Sequence, residues 1–263
     1  MSSEPQVLVE RDGAVATVVL SNPDKLNAIT VAMWRSLAQA LERLSADDML
    51  RCVVVRGAGT QAFAAGADLD EFADQRNDAA QGRYYHHELV RGALETVGAC
   101  RHPTVAMIHG PCVGGGFEIA CRCDLRISGR SGRFGVPINR LGFAIAYDEL
   151  AALLPLTGRA TALELLVEGR VWNAEEAHAK GLLTRLVDDS ELESETAATV
   201  GRITQGAPLV ARWHKQFIRR LASHPAPLSE AEIDENFAYF RTEDYREGMA
   251  AFAAKRKPRF QGK

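Results

Sequence analysis

Two short apolar runs, Cys52–Val55 and Thr104–Ile108, each lead straight into a loop of glycine and alanine. The first loop reads GAGTQAFAAGADLDEF and the second GPCVGGG. Apolar runs this short, bounded by turn residues, read as buried strands. Two such loops side by side would place bare backbone at one location, where a ligand can come close to main-chain N–H groups. Around this pair, residues 14–20 (AVATVVL) form a β-branched strand closed by the turn Ser21-Asn22-Pro23-Asp24. Thr30 can cap a helix over 31–44, where Met33, Trp34, Leu37, Leu41 and Leu44 recur at threes and fours. A helix is expected over 79–99, and short strands over 124–128 and 133–136. From 146 onward the pattern is helical, with later helices near 191–205, 208–222, 229–241 and 245–255. The whole reads as a layered α/β core, residues 1–200, followed by a helical C-terminal region, 201–263.

Composition removes several classes of function. The formal net charge is −3, without the basic excess of a nucleic-acid binder, although a local cationic pocket stays possible. Five cysteines and a start without an apolar leader argue against a secreted disulfide scaffold. Cys121-Arg122-Cys123 is not a metal-clip spacing and no HExxH occurs, so no metal site is expected. No stretch approaches the roughly 20 apolar residues of a bilayer span. The expectation is a cytoplasmic protein that binds neither metal, membrane nor nucleic acid.

The second glycine loop runs into FEIACRC, which suits a helix. The Gly115 N–H would then sit at a helix N-terminus, where negative charge is favoured. Glu118, three residues on, shares its face. An oxyanion donor and a carboxyl acid/base can therefore face one substrate. The ordinary alternative is a loop used for tight packing, with Glu118 as a solvated first-turn acid. After the other strand comes Ala65-Gly66-Ala67-Asp68, where the Ala67 N–H would be a second donor and Asp68 would cap a short helix LDEF.

These segments resemble the crotonase (enoyl-CoA hydratase/isomerase) superfamily over almost the whole chain. The likeness rests on SNPDKLNAIT, GAGTQAFAAGADLDEF, HPTVAMIHGPCVGGGFEIACRCDLRIS, RFGVP, GRATALELLVEGRVWNAEEAHAKGLL and EGMAAFAAKRKPRF, in that order. It implies a crotonase (ClpP-like) ββα spiral core and a C-terminal helical trimerisation region. It further implies homotrimers or hexamers, and an acyl-CoA thioester substrate with no cofactor beyond the coenzyme A it carries. By the matching motifs Ala67 and Gly115 would supply the oxyanion-hole amides and Glu118 the acid/base. Lys25, Leu26, Ala65 and Asp68 would line the CoA path, and Lys257 and Phe260 would reach the CoA of a neighbouring subunit.

The resemblance breaks at one place. Hydratases of this superfamily use a second glutamate after a proline that follows the FG strand, and here that position is Ile138. An aspartate eight residues further on in some relatives is here Ala146. Asp148 and Glu149 lie close by. Glu149 suits a solvated helix start, and Asp148 stays open as an acyl-pocket residue beside Ile138 and Phe143. One glutamate can serve both proton steps, or support isomerisation, decarboxylation or hydrolysis instead.

His86, His87 and Arg91 lie on the helix expected to cover the acyl group, where Tyr84 and Tyr85 are further candidates. His109 reads as a packed strand-end residue, and Cys121 and Cys123 as buried small hydrophobes. Lys255-Arg256-Lys257 with Arg259 suits a phosphate clamp. Two other functions compete. Gly57-Ala58-Gly59-Thr60-Gln61-Ala62 fits a dinucleotide fingerprint if a helix begins there. A non-catalytic, RNA-binding relative is the other, set against the low basic charge.

Overall fold

A computed structural model describes residues 4–71, 77–223 and 226–263. The main sheet has six strands in the order β1-β2-β3-β4-β6-β9. They are Gln6–Asp12, Val15–Ser21, Cys52–Gly57, Thr104–Ile108, Leu125–Gly129 and Arg185–Val187. β1 and β2 pair antiparallel, and every later pair is parallel. A smaller sheet joins β5 (Pro111–Val113), β7 (Arg133–Gly135) and β8 (Trp172–Asn173).

The central strands are buried on both faces, which is why they read as continuous apolar runs rather than alternating ones. Val53, Val55, Ala106 and Ile108 enter the larger core. Cys52, Val54 and Val105 face a second cluster with Leu192 and Val200 of the helix Leu192–Gln205. Against the larger core lies α1 (Val31–Ala46), whose Trp34, Leu37 and Leu41 are at most 1% exposed. Thr30 caps α1 as expected, its side chain accepting from the Met33 N–H at 3.2 Å.

The expected helix 79–99 is one continuous helical run with a widened middle: α2 (Ala79–Tyr84), a π-helical turn (Tyr85–Val90) and α3 (Arg91–Ala99). α4 is Gly115–Arg122, starting at the glycine anticipated from the sequence. α5 spans Tyr147–Glu168 and corrects the expectation about apolar stretches, because in length and composition it would suit a bilayer span. It breaks at Gly158, whose φ of 70° and ψ of 170° are not helical, so its two arms are each too short to cross. The C-terminal helices are Pro208–Ser223, Glu230–Asn236 and Glu243–Ala253.

Two strands escaped the sequence reading besides β8 and β9's short runs: β1 and its hairpin to β2, turned at Asp12-Gly13 with Gly13 at φ 55°. The Asp-Gly pair was the available signal. All five cysteines are free and buried, as anticipated for Cys121 and Cys123. Burial pushes both of those thiols up to about 12, so neither is a thiolate nucleophile.

One buried base gives the fold a pH dependence. His102 is 1% exposed, and burial, with Arg212 and Arg101 nearby, lowers its pKa from 6.5 to about 4. The unfolded chain therefore binds a proton below about 6.5 that the folded chain refuses until about 4. Stability is complete above that window and falls as pH drops through it. Urea unfolding at pH 7 and pH 5 should show a His102→Gln variant losing roughly 2 kcal/mol less than the parent between the two. Equal losses would show that His102 takes no part.

Candidate active site

The two glycine loops are held together by a backbone ladder. Ala64 donates its N–H to Pro111 O at 3.0 Å and accepts from the Val113 N–H at 3.0 Å, a parallel bridge between Ala64 and Cys112. Three residues further along each loop, this register sets Ala67 beside Gly115. Gly66 and Gly114 touch in between: a Cβ on Gly114 would lie 3.5 Å from Gly66 Cα. Both have positive φ, 99° and 52°, which only glycine adopts without strain.

A second bridge aims the Ala67 amide. The Ile29 N–H donates to Gly66 O at 2.7 Å, and the Asp68 N–H donates to Ile29 O at 3.0 Å. In a parallel bridge the flanking residues make both bonds, so Ala67's own N–H points the opposite way, off the Ile29 side. Gly115 opens α4, where first-turn N–H groups have no intrahelical acceptor. Among the described residues neither amide donates a hydrogen bond within the chain.

α4 is fixed at both ends. The Gly114 N–H donates to Gly135 O of β7 at 2.8 Å, which seats the N-terminus. At the other end the buried Arg126 guanidinium donates to Ala120 O and Cys123 O at 3.4 and 2.6 Å. Glu118 is carried on this rigid turn, only 7% exposed. Beneath Gly115 sits the Trp34 ring, so close that a Cβ on Gly115 would come within 2.8 Å of it. Trp34 Nε1 in turn donates to Tyr85 Oη at 3.0 Å.

These groups surround one cavity of about 180 Å³. Ala65, Ala67, Gly115 and Glu118 line it, and apolar side chains such as Ile138, Leu141 and Phe143 form the rest of its wall. An extended, apolar ligand with one carbonyl fits this lining. Of the sequence candidates, Glu118, Ala67, Gly115, Ala65, Ile138, Phe143, His86 and Tyr85 therefore meet at one place.

Others do not. Asp148, expected at the acyl pocket, is corrected: it turns outward and holds His87, Oδ2 to Nδ1, at 2.6 Å. Glu149, expected as a solvated helix start, is instead 4% exposed and lines the cavity. Adjacent helical residues lie about 100° apart, so one faces in when the other faces out. Glu149 is the inward one because its Oε2 accepts from the Ala146 N–H at 3.2 Å, curling the side chain back over the helix start. Sequence could not show this, because its partner His86 lies on a different helix.

Asp68 caps the 3-10 turn Leu69–Glu71, accepting from the Asp70 N–H at 3.1 Å; the last residue of the anticipated LDEF helix, Phe72, lies outside the described residues. Asp68 also holds Lys25, whose ammonium donates to Asp68 at 2.7 Å and to Asp70 at 2.6 Å. Those hydrogen bonds, Asp68 first, raise the Lys25 pKa. Leu26 is in the left-handed region at φ 51° and its carbonyl accepts from the Ala65 N–H. Lys25, Leu26 and Asp68 are not part of the cavity wall, and neither are Lys257 and Phe260. Lys257 lies with Glu243, Glu247, Arg256 and Arg259 at the C-terminus, and Phe260 packs near Gly248.

His87, Arg91 and Tyr84 stay outside the cavity. His109 is buried at a strand end, as expected, with Nδ1 3.9 Å from Asp189. No helix begins at Gly57–Ala62. That segment is pinned by Asn27 Nδ2, which donates to Ala58 O and Ala62 O, so the dinucleotide reading loses its structural context.

The chain matches the family model described as enoyl-CoA hydratase/isomerase over residues 10–263. A Mycobacterium bovis protein named as a probable enoyl-CoA hydratase is 35% identical over 258 residues, covering 97% of each chain. A short-chain-enoyl-CoA hydratase of Clostridium acetobutylicum is 31% identical, covering 95% of each. Among solved structures, an enoyl-CoA hydratase/carnithine racemase from Magnetospirillum magneticum superposes with a TM-score of 0.96 at 52% identity, covering 99% of this chain and 97% of that one.

Proposed function

This chain belongs to the enoyl-CoA hydratase/isomerase family, and from that premise we propose that it hydrates a 2-enoyl-CoA through an enolate held on the Ala67 and Gly115 amides. The thioester oxygen would take both N–H donors as negative charge develops on it. Each such donor contributes about 3 kcal/mol to the transition state. Glu118 would move the proton at the adjoining carbon, and Ile138, Leu141 and Phe143 would take the acyl chain. Coenzyme A belongs to the substrate in this reading, and Lys25, Leu26 and Ala65 mark its path toward the carbonyl. The observation that carries it is the pair of main-chain amides with no acceptor of their own, set beside a buried glutamate in one apolar cavity.

Isomerisation is the second reading, favoured by the apolar side chain at Ile138 where a second carboxyl would sit. Mass spectrometry of a 2-enoyl-CoA panel separates them: hydration adds one water, and isomerisation leaves the mass unchanged. Failure to bind or convert any acyl-CoA would remove both.

The same reading has the chains assemble as trimers, alone or in pairs. The C-terminal region exposes apolar side chains that such contacts would cover, Phe252 at 83% and Ile218 at 68% among them. Sedimentation should give a particle of three or six chains, and a monomer at micromolar concentration would contradict it.

A further inference from the structure

The cavity holds a second ionisable pair that the reading above does not use. His86 Nδ1 lies 2.5 Å from Glu149 Oε1, and both residues line the cavity with Glu118, Ala67 and Gly115. Glu149 is 5% exposed at its side chain and His86 22%, so the pair is shielded but reachable from the cavity. An ionised carboxylate only accepts hydrogen bonds. With one Glu149 oxygen on the Ala146 N–H, the other takes the His86 Nδ1 proton. That arrangement leaves Nε2 as the ring's free basic nitrogen. The widened π turn over Tyr85–Val90 carries His86, and the Tyr85 ring stands edge-on to the imidazole at 5.1 Å. Tyr85 is itself tied to Trp34 under the Gly115 loop, so the imidazole is braced by the same residues that floor the site.

A neighbouring pair shows what a merely structural version looks like. His87 and Asp148 join the same two chain segments, Nδ1 to Oδ2 at 2.6 Å, but they face solvent at 43% and 31% exposure and do not line the cavity. Two histidine–carboxylate ties thus link the π turn to the start of α5. Only one of them reaches the substrate space.

We propose that His86 is the second catalytic acid/base of this site, with Glu149 as its positioning residue, supplying the group absent at Ile138. The inference rests on the acyl-CoA reading. In hydration, His86 Nε2 takes one proton from water as the water oxygen bonds to the β-carbon. The C=C electron pair moves to the α-carbon through the enolate, and Glu118 delivers a proton there. Solvent then removes the imidazolium proton and returns one to Glu118, so the sum is one water added across the double bond.

The test compares His86→Ala, Glu149→Gln, His87→Ala and Glu118→Gln in the full-length protein, with a 2-enoyl-CoA as substrate. His86→Ala should lower kcat by about 100-fold or more with KM within about threefold, because acid/base groups supply about that factor. Added imidazole should restore at least tenfold of that loss in His86→Ala and nothing in Glu118→Gln. Glu149→Gln should fall by at least about tenfold at nearly unchanged KM, as expected when a base loses its orienting carboxylate. His87→Ala, which severs the equivalent outer tie, should stay within about threefold of the parent. The proposal is overturned if His86→Ala retains parental turnover, if His87→Ala loses as much, or if imidazole rescues nothing. If the parent protein neither binds nor converts any enoyl-CoA, the acyl-CoA reading itself has failed. A parent that is active, dead as Glu118→Gln and intact as His86→Ala refutes this inference alone.

Discussion

Glu118→Gln is expected to lose at least about 100-fold in kcat on a 2-enoyl-CoA while still binding a saturated acyl-CoA as the parent does. Glutamine keeps the size and hydrogen-bonding reach of the side chain but cannot give or take a proton. The position is only 7% exposed on a helix secured at both termini, so the substitution should not shift the loops. The two amides would still hold the carbonyl, and the acyl wall would be untouched. The expected signature is therefore a collapse in turnover with affinity preserved, measured by calorimetric titration beside steady-state kinetics. Turnover near the parental value would take Glu118 out of the mechanism.

Gly116→Ala should be the most damaging of the small substitutions, in both stability and rate. A Cβ there would lie 2.4 Å from Ala64 O and 2.7 Å from Ala64 Cβ. Ala64 is backbone-bonded to Pro111 and Val113, so it cannot step aside without breaking the ladder that aligns the loops. Overpacking of this kind costs about 1–3 kcal/mol, a fall of several degrees in melting temperature for a chain this long. Relief of the clash must separate the Ala67 and Gly115 amides. Because losing one such donor costs about 100-fold or more, kcat should drop at least that far. Gly82→Ala is the matching control: its Cβ would meet nothing within 4 Å, inside a helix where alanine is favoured. A Gly116→Ala protein with parental melting and turnover would mean that the loops tolerate a shift the argument forbids.

Much of this was legible before any coordinates. Strands buried on both faces announce themselves as apolar runs, and β3 and β4 were read that way. The helix start at Gly115 and the cap at Thr30 follow from residue chemistry within one turn. What local pattern could not supply was the direction of side chains at the start of α5. Asp148 and Glu149 are adjacent acids, and the choice between them depends on a histidine 63 positions away and on a curl back to Ala146. β1 was missed because its exposed side chains lack a core-facing alternation. Its turn carried the clearer sign. The break in α5 at Gly158 was hidden because the residues on both sides keep a helical composition.

The contact of Gly66 with Gly114 has an implication for how such a chain can diversify. The groups it brings together are main-chain amides, so no change of side chain except to proline deletes them. The residues that shape the acyl wall, Ile138 and Phe143 among them, belong to other segments and can be exchanged without altering the carbonyl cradle. A protein built this way can adopt new acyl groups, or new proton-handling partners, while the polarising device is inherited unchanged.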